Sequence, residues 1–272
     1  MSTCHEATSA GAGETRLDSV RAGHVRGLTP DVARMGAVTR SPYDVIAELY
    51  DPWSVSVTED IGFYVEEARR AGRGPVVELG VGTGRIAVPV AAAGVRVIGV
   101  DSSRRMLEVC ARRAALAGVE LDLRLGDLSK PPVAERVPLV ICPFRSYLHL
   151  RDDADRRRAL RAAHRLLADG GRLVFDVFAP GPEDIADTNG RWLEREPDIW
   201  ERADWDIERR TLTLSVRRDD GESTTMTLAW LEPAEWKALL ADAGFEVEAT
   251  YGWFDRRPYD DEEDTIFVAR RR

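Results

Sequence analysis

A glycine-rich stretch in the first half of the chain has the residue types to hold a nucleotide-like ligand. Residues 76–85 read V-V-E-L-G-V-G-T-G-R, an apolar run that ends in an acid and continues into three alternate glycines. Glycine has no Cβ, so such a loop can turn tightly and approach a ligand closely. The loop enters a predicted helix at Arg85, and the free N–H groups of a helix start suit polar or anionic atoms. Asp101 ends the next predicted strand, where a carboxylate can bind the ribose hydroxyls of an adenosine.

The spacing of the glycines discriminates between cofactors. A dinucleotide fingerprint reads G-x-G-x-x-G, but the sixth position counted from Gly80 is Arg85, so the fit fails. An acid such as Glu78 ahead of the glycines adds like charge to a pyrophosphate, whereas it suits a ligand with an amino group. S-adenosylmethionine has an amino acid tail and a sulfonium cation and no phosphate, so the pattern favours this methyl donor over a nicotinamide.

Several motifs together resemble the class I S-adenosylmethionine-dependent methyltransferases. They are V-V-E-L-G-V-G-T-G-R at 76–85, V-I-G-V-D-S-S-R-R-M-L at 97–107, L-G-D-L at 125–128, G-G-R-L-V-F-D-V at 170–177 and W-L-E-P-A-E-W-K-A-L-L-A-D-A-G-F at 230–245. The resemblance covers residues 43–272. It implies S-adenosylmethionine as methyl donor and S-adenosylhomocysteine as product.

The resemblance also implies a cofactor-binding role for ten residues in these motifs and in the loop after the fourth predicted strand. The methionine part would contact Glu78, Gly80, Gly82 and Arg85, the ribose Asp101, the adenine Ser102, Met106, Asp127 and Leu128, and the reactive methyl end Phe144. Simple helix packing is the alternative for Met106, and a turn or cap role is the alternative for Asp127.

The loop after the fourth predicted strand carries candidate acceptor-binding residues. The sequence C-P-F-R-S-Y-L-H-L at 142–150 leaves the sheet at its carboxyl edge, where ligands bind in such folds. Arg145 and Tyr147 are candidate substrate contacts. Histidine ordinarily titrates near neutral pH, so His149 is the candidate general base, with a structural histidine as the alternative. Methyl transfer depends mainly on alignment of donor and acceptor, and an amine with a free lone pair needs no base, whereas a hydroxyl usually does.

Aromatic residues on either side of these motifs are further candidates. The segment Y-D-V-I-A-E-L-Y-D at 43–51 resembles the lid helix of small-molecule N-methyltransferases, including sugar N,N-dimethyltransferases. That resemblance implies that Tyr50, as a catalytic residue, and Tyr43 reach the cofactor tail or the reaction centre; packing within the helix is the alternative. Trp192 and Trp253 lie in predicted loops and are candidate walls of an acceptor pocket, because aromatic rings bind apolar or cationic groups.

Alternating strands and helices are expected to position these residues. Strands are predicted at 75–79, 95–100, 121–125, 137–142, 171–178, 245–251 and 264–270, and helices at 84–93, 103–117, 154–168 and 233–244. The near-continuous apolar runs suit strands buried on both faces, so the order predicts a doubly wound, Rossmann-like α/β fold. The resemblance implies seven strands in the order 3-2-1-4-5-7-6. Residues 200–232 read as strands without intervening helices, so residues 180–232 are predicted to form an antiparallel insertion that covers the substrate or forms a dimer surface.

Length, charge and cysteine content limit the class of protein. The 272 residues suffice for one large α/β domain, expected at 41–272, preceded by a flexible or lid-like arm at 1–40. The net charge of −9 disfavours nucleic acid as a partner. Three cysteines without paired spacing disfavour a disulfide framework and a cysteine-rich zinc site, and no metal motif stands out. No apolar run approaches the roughly 20 residues that span a bilayer, so we expect a cytoplasmic protein without a membrane partner.

The sequence thus predicts a methyltransferase that acts on a nitrogen or oxygen atom of a small molecule, in secondary metabolism, by proximity and orientation. Carbon methylation, a nicotinamide oxidoreductase and a non-catalytic cofactor-binding domain are the alternatives, and a homodimer is left open.

Overall fold

The chain is an alternation of strands and helices followed by a block of strands. The computed structural model describes residues 43–54, 56–221, 223–260 and 264–272, so the predicted N-terminal arm lies outside the described residues. The strands are β1 (Val76–Leu79), β2 (Val97–Asp101), β3 (Asp122–Leu125), β4 (Val137–Cys142), β5 (Leu167–Phe178), β6 (Trp192–Glu196), β7 (Ile199–Asp206), β8 (Thr211–Arg218), β9 (Ser223–Ala229), β10 (Phe245–Tyr251) and β11 (Asp264–Arg271). The helices are α1 (Tyr43–Trp53), α2 (Glu59–Arg70), α3 (Ala87–Ala92), α4 (Arg104–Leu116), α5 (Asp153–Leu166), α6 (Pro182–Thr188) and α7 (Pro233–Asp242), with a 3-10 helix at Ser146–His149.

A seven-stranded sheet in the order β10-β11-β5-β4-β1-β2-β3 forms the centre of the fold. β1 to β5 run parallel, and β11 runs antiparallel between β5 and β10. With β10 and β11 counted as the sixth and seventh strands of this sheet, the order is 3-2-1-4-5-7-6, which confirms the predicted doubly wound α/β fold. The strand order reverses beside β1, so the loop after β1 lies at the topological switch point where such sheets bind ligands.

Burial on both faces explains the apolar runs of the central strands. All four residues of β1 and the first four of β2 are buried. α5 and α7 pack on one face of the sheet, and α2, α3 and α4 pack on the other. The Ser103 side chain caps α4 by accepting a hydrogen bond from the Met106 N–H at 3.1 Å. The loops that carry the candidate cofactor residues are therefore held at both ends by buried elements.

The predicted antiparallel insertion is a second sheet of four strands in the order β6-β7-β8-β9. Ala203, Leu212 and Leu228 on one side of it join the core that includes α5 and α7. Val216 and Met226 pack in a separate cluster with residues of α1 and α4. The second sheet is therefore anchored both to the central domain and to α1.

The boundary between α5 and β5 differs from the prediction. The helix ends at Leu166 and the strand begins at Leu167, although the glycines at 170–171 predicted a later stop. Leu167 already pairs with Val137 of β4, and the register then shifts before the ladder resumes. Strand pairing therefore overrides the local helical pattern here.

Two further differences concern α1 and the second sheet. α1 continues to Trp53, past the end predicted at Asp51-Pro52. Pro52 lies in the last turn, where it cannot donate a backbone hydrogen bond, and the helix ends one residue later. Trp192 was predicted in a loop, but it is the first residue of β6. Within the described ranges, no helix is long and apolar enough to cross a membrane.

Candidate active site

The loop after β1 requires glycine for two physical reasons. Gly80 and Gly84 have φ angles of 74° and 83°, a conformation that L side chains rarely adopt. A Cβ on Gly80 would lie 2.7 Å from the Ser146 Oγ, and one on Gly84 would lie 2.6 Å from the Cys110 Sγ. At Gly82 the nearest such atom is 4.0 Å away. The loop therefore packs against two neighbouring elements and leaves open space at its middle glycine.

Asp101 lies beside this loop at the end of β2. Its carboxylate accepts hydrogen bonds from the Gly82 N–H and the Ser103 N–H, each at 2.8 Å. Burial raises the pKa of Asp101 to about 6, and the backbone hydrogen bonds oppose that shift. The side chain is thus fixed in orientation and is ionised at neutral pH.

Glu78 is a buried acid without a full set of partners. It is 2% exposed, and its Oε2 atom has no hydrogen-bond partner among the described residues. Burial raises the pKa of Glu78 well above its usual value. An uncompensated buried carboxyl is costly, so this position favours a ligand that brings a donor or a positive charge to it.

Together these residues fit a ligand that has an ammonium group at one end and a vicinal diol near its middle. The unpartnered carboxyl of Glu78 would accept from the ammonium group, and the ionised carboxylate of Asp101 would accept from the diol. S-adenosylmethionine has both groups, and when bound it supplies a methyl group on a cationic sulfur.

Arg85, expected near the carboxylate of the methionine tail, is bound to a partner that the sequence did not indicate. Its guanidinium donates two hydrogen bonds of 2.6 Å to Asp60 and one of 3.1 Å to the Val57 carbonyl. It also lies 4.7 Å from the centre of the Phe144 ring. The structure therefore shows Arg85 joining α2 to the loop after β4, with Asp60 neutralising its charge.

Helix α1 lies across the glycine loop and the start of α4. The Ser103 hydroxyl donates to Asp44 at 2.6 Å, at the first turn of α1. Near the last turn, Asp51 accepts from the Thr83 hydroxyl at 2.5 Å and forms an ion pair with Arg113 at 2.6 Å. These contacts hold both ends of α1 on the elements that carry the cofactor motifs.

Two predicted site residues lie at the inner side of α1. Tyr50 belongs to the helix, and Met106 of α4 packs against it. The Tyr50 ring meets the Phe144 ring edge-on, with 6.2 Å between centres. Burial raises the pKa of the Tyr50 hydroxyl, so it is neutral at ordinary pH. Met106 is 1% exposed and shares a hydrophobic cluster with Ala47 and Leu49 of α1. A role of Met106 beside the adenine therefore stays a prediction, while its packing against α1 is observed.

The remaining adenine-side candidates lie at the edge of the sheet. Ser102 and Asp127 are exposed, and Leu128 is half-buried against the core. Asp127 accepts from the Ser129 N–H at 2.7 Å and thereby closes a turn. The structure thus shows the turn role of Asp127, and its contact with an adenine stays a prediction.

A cavity of about 620 Å³ lies between the carboxyl ends of β4 and β5, α1 and the second sheet. Of the predicted site residues, its wall includes Tyr43, Phe144, Arg145, His149 and Trp253. Leu212, Leu214, Met226 and Leu228 of the second sheet form an apolar side. The structure therefore brings residues that are distant in sequence together around one cavity.

Tyr43 and His149 form a hydrogen-bonded pair in this wall. The Tyr43 hydroxyl lies 2.9 Å from the His149 Nε2 and 3.3 Å from the Met226 Sδ. Burial lowers the pKa of His149 to about 4, so its imidazole is neutral at ordinary pH and is a weak base. This pair ties α1 to the 3-10 helix and to β9.

Two residues predicted to contact substrate lie elsewhere. Tyr147 is 0% exposed and packs edge-on against Phe175 and beside Trp236, with ring centres 5.1 Å and 6.2 Å away. Its side chain is in the core because the 3-10 helix turns that position towards α7. Trp192 stacks under the Arg217 guanidinium at 4.2 Å on the second sheet. The geometry supports neither residue as a wall of the cavity.

Other residues of the cavity wall were missed by the sequence argument. Asp176 of β5 lies within the quoted motif G-G-R-L-V-F-D-V, but the pattern of that motif did not single it out. Trp53 donates to Glu201 of β7 at 3.0 Å, and Trp205 closes the far side. No local spacing connects these residues, so only pairing across the two sheets could reveal them.

Comparisons with known proteins agree with this geometry. Residues 76–171 match the methyltransferase domain family. A protein of Geobacillus sp. (strain WCH70) named as a methyltransferase is 26% identical over 233 residues, which cover 82% of this chain and 93% of the relative. The solved CcbJ methyltransferase from Streptomyces caelestis is 27% identical with a TM-score of 0.74, covering 85% of this chain and 98% of that one. SAM-bound CalS10, an amino pentose methyltransferase from Micromonospora echinaspora, has a TM-score of 0.60 at 23% identity, covering 84% and 97%.

The family match covers the glycine loop and Asp101, and the solved CcbJ structure shares the fold that positions them. A methyltransferase domain at this loop opposes its interpretation as a nicotinamide site. The matched domain, the shared fold and a site that fits an ammonium group and a diol lead to one conclusion. Residues 76–171 form a methyltransferase domain, and the chain is an S-adenosylmethionine-dependent methyltransferase.

Proposed function

We propose that the protein transfers the methyl group to an amine nitrogen of a small molecule held in the cavity between α1 and the second sheet. The observation that carries this proposal is the composition of the cavity wall. Among the described residues, six carboxylate side chains and two guanidinium groups line it, and the one histidine there is half-buried and weakly basic. The carboxylates are Glu59, Asp60, Asp176, Asp184, Glu201 and Asp264.

The charge of the wall suits an amine acceptor. During methylation of a neutral amine, a C–S bond breaks, a C–N bond forms, and the positive charge passes from sulfur to nitrogen. Three of the six carboxylates are paired with guanidinium groups: Asp60 with Arg85, Asp264 with Arg145 and Glu201 with Arg195. The carboxylates that remain leave an excess of negative charge around the acceptor, which stabilises positive charge that develops there. Alignment by the walls supplies the remaining rate enhancement, because a displacement of this kind depends on an in-line approach at about 3–3.5 Å.

The state of His149 distinguishes an amine from an alcohol. A hydroxyl acceptor must lose its proton as it is methylated, and an efficient general base has a pKa near the operating pH. The His149 pKa of about 4 is far below that range. A free amine reacts through its lone pair and has no such requirement. Oxygen and carbon methylation therefore remain the second choices.

Amino sugars are the acceptor class that we propose for the first assays. CalS10, which shares the fold, is named as an amino pentose methyltransferase. The apolar side formed by the second sheet would hold the body of such a substrate, and the acidic side would hold its amine. We also propose that the second sheet covers the acceptor rather than forming a dimer surface, because its side chains line the cavity.

The test is a comparison of matched acceptors. A set of amino sugars is assayed at pH 8 beside the same sugars with a hydroxyl in place of the amine, with S-adenosylhomocysteine formation as readout. We expect product only with the amines. When the assay of an amine is repeated at several pH values, its rate should rise with pH as the free amine forms. Turnover of the hydroxyl compounds at comparable rates would overturn the proposal.

A further inference from the structure

Two consecutive residues in the cavity wall have a strained backbone. Phe144 and Arg145 follow β4 directly and have φ angles of 55° and 61°. Neither is glycine, and non-glycine residues in this conformation persist only where the surroundings hold them. A pair of such residues in sequence therefore requires a specific local restraint.

Asp176 of β5 supplies that restraint. One carboxylate oxygen accepts from the Phe144 N–H and the other from the Arg145 N–H, each at 2.9 Å. The Tyr64 hydroxyl of α2 donates a third hydrogen bond to the same group at 2.5 Å. Asp176 is 3% exposed, so these donors replace the water that it would otherwise bind.

The turn held in this way contacts both halves of the site. Phe144 carries its ring to 4.7 Å from the Arg85 guanidinium and meets Tyr50 of α1. Ser146, one residue beyond the strained pair, lies directly against Gly80 of the glycine loop. A change in the turn would therefore move a wall of the cavity and a support of the cofactor loop together.

We propose that Asp176 is a positioning residue whose ionised carboxylate holds the turn at Phe144–Arg145 in the shape that separates and aligns methyl donor and acceptor. This role does not depend on which acceptor is used. It requires the carboxylate form, because a protonated acid or an amide presents one oxygen acceptor and one donor to two backbone N–H groups.

The surroundings of Asp176 make its protonation sensitive to pH. The titratable and charged groups that face it are Tyr64 and Asp60 from α2, Arg85 from the glycine loop, Cys142 from β4, Arg145 from the turn and Asp264 from β11. Burial raises the pKa of Asp176 to about 6, Asp60 and Asp264 act in the same direction, and Tyr64 and Arg145 oppose the shift. As pH falls through about 6, the carboxylate is lost and the turn loses its restraint.

The test measures S-adenosylhomocysteine affinity by calorimetry between pH 5 and pH 8 for the wild type and three variants. No acceptor is needed, so the result is independent of the proposed amine specificity. Asp176→Asn should weaken binding about tenfold at pH 7.5, the effect of losing a charge-assisted hydrogen bond at the support of the loop. Asp101 also titrates in this pH range, but it does so in all four proteins, so its contribution to the pH dependence of affinity is the same in each.

Tyr64→Phe isolates the titration of Asp176. Removing the hydroxyl removes a hydrogen bond to the ionised form, so the loss of affinity at low pH should begin about half a unit to one unit higher than in the wild type. Tyr147→Phe is the matched control, because that buried hydroxyl has no hydrogen-bond partner among the described residues; its profile should follow the wild type.

Coincident pH profiles for Tyr64→Phe, Tyr147→Phe and wild type would overturn the proposal, as would wild-type affinity in Asp176→Asn. If Asp176→Asn does not fold, the Tyr64→Phe profile still decides, because phenylalanine preserves the packing of the ring. A shift in that profile supports a positioning role that a merely structural aspartate would not show.

Discussion

The cofactor side and the acceptor side of this site are built in different ways. On the cofactor side, the key polar contacts join residues close in sequence, as when Asp101 accepts from Gly82, 19 residues earlier. On the acceptor side, the contacts span most of the domain. Tyr43 bonds to His149 across 106 residues, and Trp53 bonds to Glu201 across 148. The cofactor side is formed by the ends of adjacent parallel strands. The acceptor side forms only when α1 and the second sheet pack on the central domain.

This difference implies that the two sides can be perturbed separately. Cofactor affinity should depend on the strand ends of the central sheet, and acceptor affinity should depend on α1, the 3-10 helix and the second sheet. The turn at Phe144–Arg145 touches both sides, and Asp44 and Asp51 of α1 also contact the elements that carry the cofactor motifs, so we expect the effects to mix at these places. Four substitutions test the separation.

Asp101→Ala should have the largest effect. It removes a half-buried, ionised acceptor beside the glycine loop. S-adenosylmethionine affinity measured by calorimetry should therefore fall about 100-fold, the scale of two hydrogen bonds to a charged group. Asp127→Ala, in the exposed turn nearby, is the control and should change affinity only a few-fold. Equal effects of the two substitutions would show that the ribose has been assigned to the wrong carboxylate.

Glu78→Gln should have the next largest effect. The glutamine keeps the shape of the side chain but cannot become an anion beside an ammonium group, so affinity should fall about tenfold. Stability should change in the opposite direction. The raised pKa of Glu78 stabilises the unliganded fold below the unfolded pKa, and this contribution is lost as pH rises through the folded value.

Denaturant unfolding of the unliganded protein checks this second expectation. The free energy of unfolding of Glu78→Gln should exceed that of the wild type at pH 8, and the difference should shrink towards pH 5. A wild type that is the more stable protein at pH 8 would argue that Glu78 is ionised and paired in the fold.

His149→Ala should have a moderate effect confined to the acceptor side. Loss of the contact to Tyr43 should raise the acceptor KM several-fold, while S-adenosylmethionine affinity is unchanged. The fall in kcat with an amine should be well below the 100-fold or more that loss of a general base causes. Steady-state kinetics at pH 8 measures the acceptor KM and kcat separately. A 100-fold fall in kcat would indicate that His149 is a general base.

Trp192→Phe should have the smallest effect. The ring stacks with Arg217 on the second sheet and lies apart from the residues that line the cavity. Neither acceptor KM nor cofactor affinity should change more than twofold, a difference of a few tenths of a kcal/mol. A large rise in acceptor KM would return Trp192 to the substrate site and place the acceptor beyond the cavity described above.

The predictability of the site follows the same division. Glu78, the glycines and Asp101 could be placed from spacing alone, because a strand that ends at the edge of a parallel sheet presents its next residues at a known position. The same reasoning failed for Tyr147 and Trp192. Both are aromatic residues near expected loops, and their direction depends on a 3-10 turn and on an antiparallel register that local pattern does not determine.

Asp176 shows why some residues escaped prediction altogether. Its motif reads as an ordinary buried strand, and its role depends on two N–H groups that β4 presents more than 30 residues earlier. Asp60 is a second example, since it pairs with Arg85 but lies in a helix with no motif of its own.

The sequence by itself determined the class of fold, the order of the central strands, the methyl donor and the carboxylate at the end of β2. The class of fold follows from local periodicity, and the carboxylate follows from its place after a predicted strand. The methyl donor follows from the glycine spacing together with the resemblance to the class I methyltransferases, and the strand order follows from that resemblance. Only the tertiary structure decided the acceptor cavity, the pairing of Tyr43 with His149, the neutral state of that histidine and the restraint on the turn after β4. Burial and contacts between distant segments set these features, and both arise when the chain is packed.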